Sequence, residues 1–182
     1  MNKAEQKKAA YQAALIIMSV YFSMLESLIP KPFPWIKIGL ANISTVIGME
    51  RFGGLFGIEI TILRIFIYGF ISGTLMTPGF IISSIAGLGS AACMAGLFYF
   101  RGKFSTVAIS TAGGFIHNIC QLTAAYVIFF RNIDINSGGV KVFIFFFMCL
   151  GTASGFAVGV VSRKFTLVKK NSGNHGMISK NI

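Results

Sequence analysis

The chain has 182 residues, of which 54% are hydrophobic and only 12% charged, and its mean hydropathy is +0.75. Soluble domains carry about 25% charged residues, so this composition excludes an ordinary soluble domain and specifies an integral membrane protein. The net charge of +11, from 16 Lys and Arg against 5 acids, then speaks of orientation in a bilayer and not of nucleic acid.

Apolar bands occupy residues 9–29, 36–49, 54–73, 79–100, 104–130 and 140–162. Each is expected to be a helix, because backbone at membrane depth must satisfy its own hydrogen bonds. The predicted architecture is an all-α integral membrane protein of six transmembrane helices. It forms one domain over 1–168, followed by a polar tail, 169–182, whose composition predicts disorder.

The first band follows Lys7 and Lys8. It is too long for the apolar part of a signal peptide and lacks a small-residue cleavage site before Pro30, so it is read as a retained helix. Ala9 with Ala13, and Ala10 with Ala14, return to one face at its cytoplasmic end and are candidates for docking a partner's helix. Glu26 lies one turn from its outer end.

Residues 29–42 then read I-P-K-P-F-P-W-I-K-I-G-L-A-N. Pro30, Pro32 and Pro34 fix φ and remove donors, which imposes a stiff, extended connection. Two readings stand side by side. Trp35 and the lysines anchor a turn at headgroup level, or Phe33, Trp35 and Lys37 form a lid over a binding site.

The second band rises only ~21 Å against a hydrocarbon core of ~30 Å, and charge decides whether it crosses. Six crossings with both termini cytoplasmic leave only Lys31, Lys37, Arg131 and Lys141 outside, with Arg64 in the membrane and every other Lys and Arg inside. Five crossings reverse that bias, against the rule that cytoplasmic loops collect cations.

Arg64 sits near the middle of the third band, where an ionisable group costs at least ~2.5 kcal/mol on insertion scales and needs a partner or a task. Glu59 is five residues away, about 140° around the helix, so Glu26 and Asn42 on neighbouring helices are better partners. In the fifth band His117 and Gln121 are four apart and share a face, with Asn118 alongside. Glu26, Asn42, Arg64, His117 and Gln121 are therefore expected to converge at or above the midplane. They form either a structural network in which Glu26 neutralises Arg64 or a site for a small ligand. Arginine favours one with a carboxylate or phosphate.

Glycine pairs at four-residue spacing, Gly53 with Gly57, Gly69 with Gly73, and Gly151 with Gly155 and Gly159, predict close helix approach. Cys93, Cys120 and Cys149 fall inside apolar bands with no metal or cluster spacing and read as packing residues. There is no P-loop, Asp134 is the only aspartate, and no acid orients His117. The chain is thus expected to be no enzyme, to use no metal or cofactor, and to depend on a partner for energy.

Glu26, then Pro30, Pro32, Phe33, Pro34 and Lys37-Ile38-Gly39-Leu40-Ala41-Asn42, with Arg64 and Pro78-Gly79-Phe80 beyond, resembles the membrane family called heptaprenyl diphosphate synthase component I, or Gx transporter family. The likeness covers roughly residues 9–162. The wider architecture is similar to the substrate-binding S components of energy-coupling factor transporters. That resemblance implies a carrier in the bacterial cytoplasmic membrane whose alanine strip docks a transmembrane coupling subunit driven by two ATPases. The outer loop after the first helix would cap the substrate. Two other roles are implied by the family: a subunit of flavin- or quinone-linked extracellular electron transfer, and a non-catalytic subunit of prenyl diphosphate or quinone synthesis. The chain lacks aspartate-rich motifs for prenyl transfer and the S/T-G-A-T sequence for covalent flavin.

Overall fold

The computed structural model describes residues 2–30, 39–100, 103–132 and 134–178, with side chains through Thr166. The described residues form six helices in the order α1 (Lys3–Leu28), α2 (Asn42–Phe52), α3 (Gly54–Ile71), α4 (Pro78–Tyr99), α5 (Thr106–Phe129) and α6 (Gly138–Ile178). Local chemistry sets their starts. Asn2 donates its amide to the Glu5 carboxylate (3.0 Å) ahead of α1. The Thr77 hydroxyl accepts from the Phe80 amide (3.2 Å) with Pro78 at the first position of α4, and Ser105 accepts from Ala108 (3.1 Å) at α5. Each satisfies an amide that the first turn leaves without a partner.

Consecutive helices run antiparallel. Tyr11 near the start of α1 meets Phe52 at the end of α2 (ring centroids 5.9 Å apart), whereas Glu26 near the end of α1 reaches Gly39, just before α2. The Thr45 and Thr61 hydroxyls pair α2 with α3 (3.5 Å). Ser90 of α4 donates to the Gly113 carbonyl of α5 (2.8 Å), and Ser110 of α5 to the Gly155 carbonyl of α6 (2.8 Å). This alternation puts the start of α1 and the far end of α6 on one side of the bundle, the relation expected of two cytoplasmic termini.

Helices α1, α3, α4, α5 and the Gly138–Thr166 part of α6 are long and apolar enough to cross a bilayer. The chain is a multi-pass membrane protein. The second band needs correction. Its helix begins at Asn42 instead of residue 36 and ends at Phe52 instead of 49; the part of the expected span over 36–38 lies outside the described residues. At 11 residues it rises about 16 Å, half a crossing. It survives because protein encloses its middle: residues 43–49 are all buried, and α2 touches all five other helices.

Gly53 makes the reversal between α2 and α3, at φ 96° with nothing within 4 Å of where a Cβ would be. Its requirement is conformational. Gly73 has φ 65° and equally open surroundings, so these two partners in the expected strips are turn residues. The strip Gly151, Gly155 and Gly159 behaves as expected. A Cβ on Gly155 would lie 3.0 Å from the Thr111 Cα, and one on Gly159 would lie 2.8 Å from the Val107 Cα. Here α5 and α6 touch backbone to backbone. Beyond its apolar part α6 continues as helix to Ile178, through most of the tail whose composition predicts disorder. Propagating a helix already nucleated by packed turns costs far less than starting one.

Candidate functional site

Arg64 lies a rise of about 16 Å above the Gly53 turn, roughly half of the ~30 Å hydrocarbon core. Asn42, the first residue of α2, meets it there: the Arg64 guanidinium donates to the Asn42 side-chain carbonyl at 3.3 Å. The chain before α2 is therefore irregular backbone at membrane depth, which is tolerated only inside protein or against a cavity. Gly39 and Ala41 are buried. Much of this segment's backbone is satisfied locally, with the Gly39 amide donating to Glu26 Oε1 (2.8 Å) and the Asn42 and Ile43 amides donating to the Gly39 and Leu40 carbonyls (2.9 and 3.1 Å). Gly39 has φ 93°, a conformation that glycine adopts without strain.

These groups enclose a cavity of about 20 Å³ lined by Ser23 and Glu26 of α1, Gly39, Ala41 and Asn42, Arg64, Ile65 and Tyr68 of α3, Ser83 and Gly87 of α4, and His117 of α5. That volume is about the space a single water needs. Glu26 is 2% exposed and Arg64 8%, yet no ion pair joins them among the described residues. Each is held by a neutral group instead, Glu26 by the Gly39 amide and Arg64 by Asn42. Both face the same cavity. The N-terminus of α2 also points there and adds the positive end of its dipole.

Four of the five expected site residues, Glu26, Asn42, Arg64 and His117, thus meet around one cavity. Gln121 is buried as well, but one turn farther along α5 it lines a different and larger cavity of about 600 Å³ between α5 and α6. Asn118 is structural, donating to the Phe147 carbonyl at 2.5 Å. Ser23, Tyr68 and Ser83 were not singled out in the sequence. Ser23 is three residues from Glu26 and Tyr68 four from Arg64, so helical spacing alone places them on the same faces. Ser83 carries no such signal.

Ala9, Ala10, Ala13 and Ala14 are all exposed at the start of α1. Phe33, Trp35 and Lys37 lie outside the described residues. Glu50 accepts from the Thr106 hydroxyl at the first turn of α5, while Arg51 lies over the Tyr11 ring, 4.9 Å from its centroid. No group of three His, Cys, Asp or Glu that can hold a metal occurs among the described residues.

A family model described as heptaprenyl diphosphate synthase component I matches residues 15–165. The chain belongs to that family. No curated protein and no solved structure matches it. The span shared with the family contains every residue lining the Glu26–Arg64 cavity and the whole of α2, α3, α4 and α5. The four alanines precede it.

Proposed function

We propose that this member of the heptaprenyl diphosphate synthase component I family is a substrate-binding membrane subunit of the S-component kind. It takes up a small anionic or zwitterionic metabolite across the bacterial cytoplasmic membrane, with energy from a coupling subunit and its ATPases. One observation carries the reading: two opposite charges are buried against one cavity and make no direct contact with each other. A purely structural pair gains most by direct contact, because each charge has already lost its hydration. Holding Arg64 with the neutral Asn42 keeps a guanidinium available for a carboxylate or phosphate, which it binds bidentately.

Arg64 would take the anionic group. Asn42, Glu26 and His117 would orient the remainder, while Gln121 faces the other cavity. At about 20 Å³ the cavity is in its closed form, so loading has to part the Glu26–Gly39 contact. The exposed alanine strip on α1 serves as the docking face for the coupling subunit. The partner supplies the energy by binding the loaded and unloaded conformations unequally.

Native mass spectrometry of gently extracted protein tests the site. Wild type should retain a small anion that Arg64→Ala loses at least tenfold while the variant, though less stable, still folds in detergent. Loss of folding without any retained anion in wild type would sink the reading. The family description supports a second reading, a non-catalytic membrane partner in prenyl diphosphate synthesis. Recovery of soluble prenyl synthase subunits with this chain, in place of ATPases, would favour it.

A further inference from the structure

The outer half of the α5–α6 interface is built differently from the inner half. Inward, Gly114, Gly151, Gly155 and Gly159 let the two backbones touch. Outward of the Asn118–Phe147 contact the facing residues become Leu122, Tyr126 and Phe130 on one side and Phe147, Phe143 and Val140 on the other. Side chains of that size cannot pack at glycine spacing, so the helices diverge and leave the cavity of about 600 Å³. This is within the usual range for ligand pockets.

Only Gln121, Thr123 and Tyr126 of its lining residues are polar. The Tyr126 hydroxyl is directed out of the wedge, donating to the Arg131 carbonyl (3.3 Å). A stacked pair, Phe143 and Phe147 (centroids 5.8 Å apart), forms much of one wall. Such walls offer a polar metabolite too few partners to replace its water. They suit a hydrocarbon chain. The wedge opens sideways where Ile119 and Phe143 are 37% and 43% exposed, toward the face that lipid covers.

The rim supplies the second half of the recognition. Arg131 directly follows Phe130 and Lys141 directly follows Val140, both of them lining residues, and both cations are exposed. Lys141 is also seven residues before the lining residue Met148, which places the two about 20° apart around α6. Two cations at the outer end of an apolar wedge match a phosphate at headgroup level.

We propose that this wedge is a specific site for an anionic phospholipid of the outer leaflet, one acyl chain lying between α5 and α6 and the phosphate meeting Arg131 and Lys141. The site is separate from the Arg64 cavity and does not depend on the metabolite-binding reading. The full-length protein in nanodiscs of phosphatidylcholine with graded phosphatidylglycerol provides the test, read by native mass spectrometry after release. Wild type should keep one phosphatidylglycerol per chain beyond the bulk lipid. Ile144→Trp, which fills the wedge, should lower that retention at least tenfold. The exposed double variant Arg131→Gln/Lys141→Gln should still fold and keep one lipid but lose the preference for phosphatidylglycerol. Equal retention in wild type and Ile144→Trp, or an unchanged preference in the double variant, would overturn the assignment. Displacement of phosphatidylglycerol by an equimolar isoprenyl phosphate would also overturn it, assigning the wedge to isoprenoid chains.

Discussion

Replacing Gly114 with alanine isolates the close contact at the centre of the bundle. A Cβ there would meet the Gly151 carbonyl oxygen, the Gly155 Cα at 2.8 Å and the Gly155 nitrogen at 3.0 Å. All three are backbone atoms, so no rotamer change relieves the clash and α6 itself has to move. Overpacking of this kind costs about 1–3 kcal/mol and occasionally more, against a helix-propensity gain of about 1 kcal/mol for Gly→Ala. The expected net effect is a loss of up to roughly 2 kcal/mol. Gly96, in α4, is the control: nothing lies within 4 Å of its Cβ position, so Gly96→Ala should keep the propensity gain and stabilise by about 0.4–1 kcal/mol. Reversible unfolding of each variant in mixed micelles measures both. At about 2–4 °C per kcal/mol for a chain of this size, the two melting shifts should have opposite sign. A Gly114→Ala protein as stable as Gly96→Ala would refute direct backbone contact between α5 and α6.

Glu26→Ala leaves the buried Gly39 amide without its acceptor and Arg64 without a nearby counter-charge, and should cost about 3–5 kcal/mol. Glu26→Gln keeps an acceptor in place and should lose clearly less in the same unfolding measurement; equal losses would mean that the Gly39 bond contributes little. Ser90→Ala removes a buried interhelical hydrogen bond to Gly113 (2.8 Å) and should cost about 0.6–1.7 kcal/mol, the range found for such bonds in membranes. A loss several times larger would point to repacking around Met94 instead. Leucines at Ala9 and Ala13 should leave stability and ligand retention untouched, because both positions are exposed, while abolishing co-purification of a coupling subunit. An unchanged complex yield would remove the α1 strip from the docking assignment.

The long helices were legible because hydropathy reports lipid contact, and α1, α3, α4, α5 and α6 all have a lipid-facing side. Helix α2 was legible only as an apolar stretch. Hydropathy cannot separate the helical Ile43–Met49 from the irregular Gly39–Ala41 before it, since both are buried, and it missed the last turn because Glu50 and Arg51 are polar. The convergence of Glu26, Asn42, Arg64 and His117 was legible from the cost of burying such groups. Their pairing was not, because it depends on a backbone amide: Gly39 occupies the carboxylate that the side-chain inventory would have assigned to Arg64. Gln121 shows a related limit. Four-residue spacing puts it on the face of His117, but the divergence of α5 from α6 at that height gives it a different neighbourhood.

Burial of α2 over residues 43–49 bears on biogenesis. At 11 residues, α2 is too short to partition into the bilayer alone, so it has to enter as one arm of a hairpin with α3. Its enclosure then waits on the end of the chain, since the Ser162 hydroxyl of α6 donates to the Ile43 carbonyl of α2 (3.5 Å). Until α6 emerges from the ribosome, the segment that carries Asn42 lacks one of its walls, and the nascent protein is open along its centre.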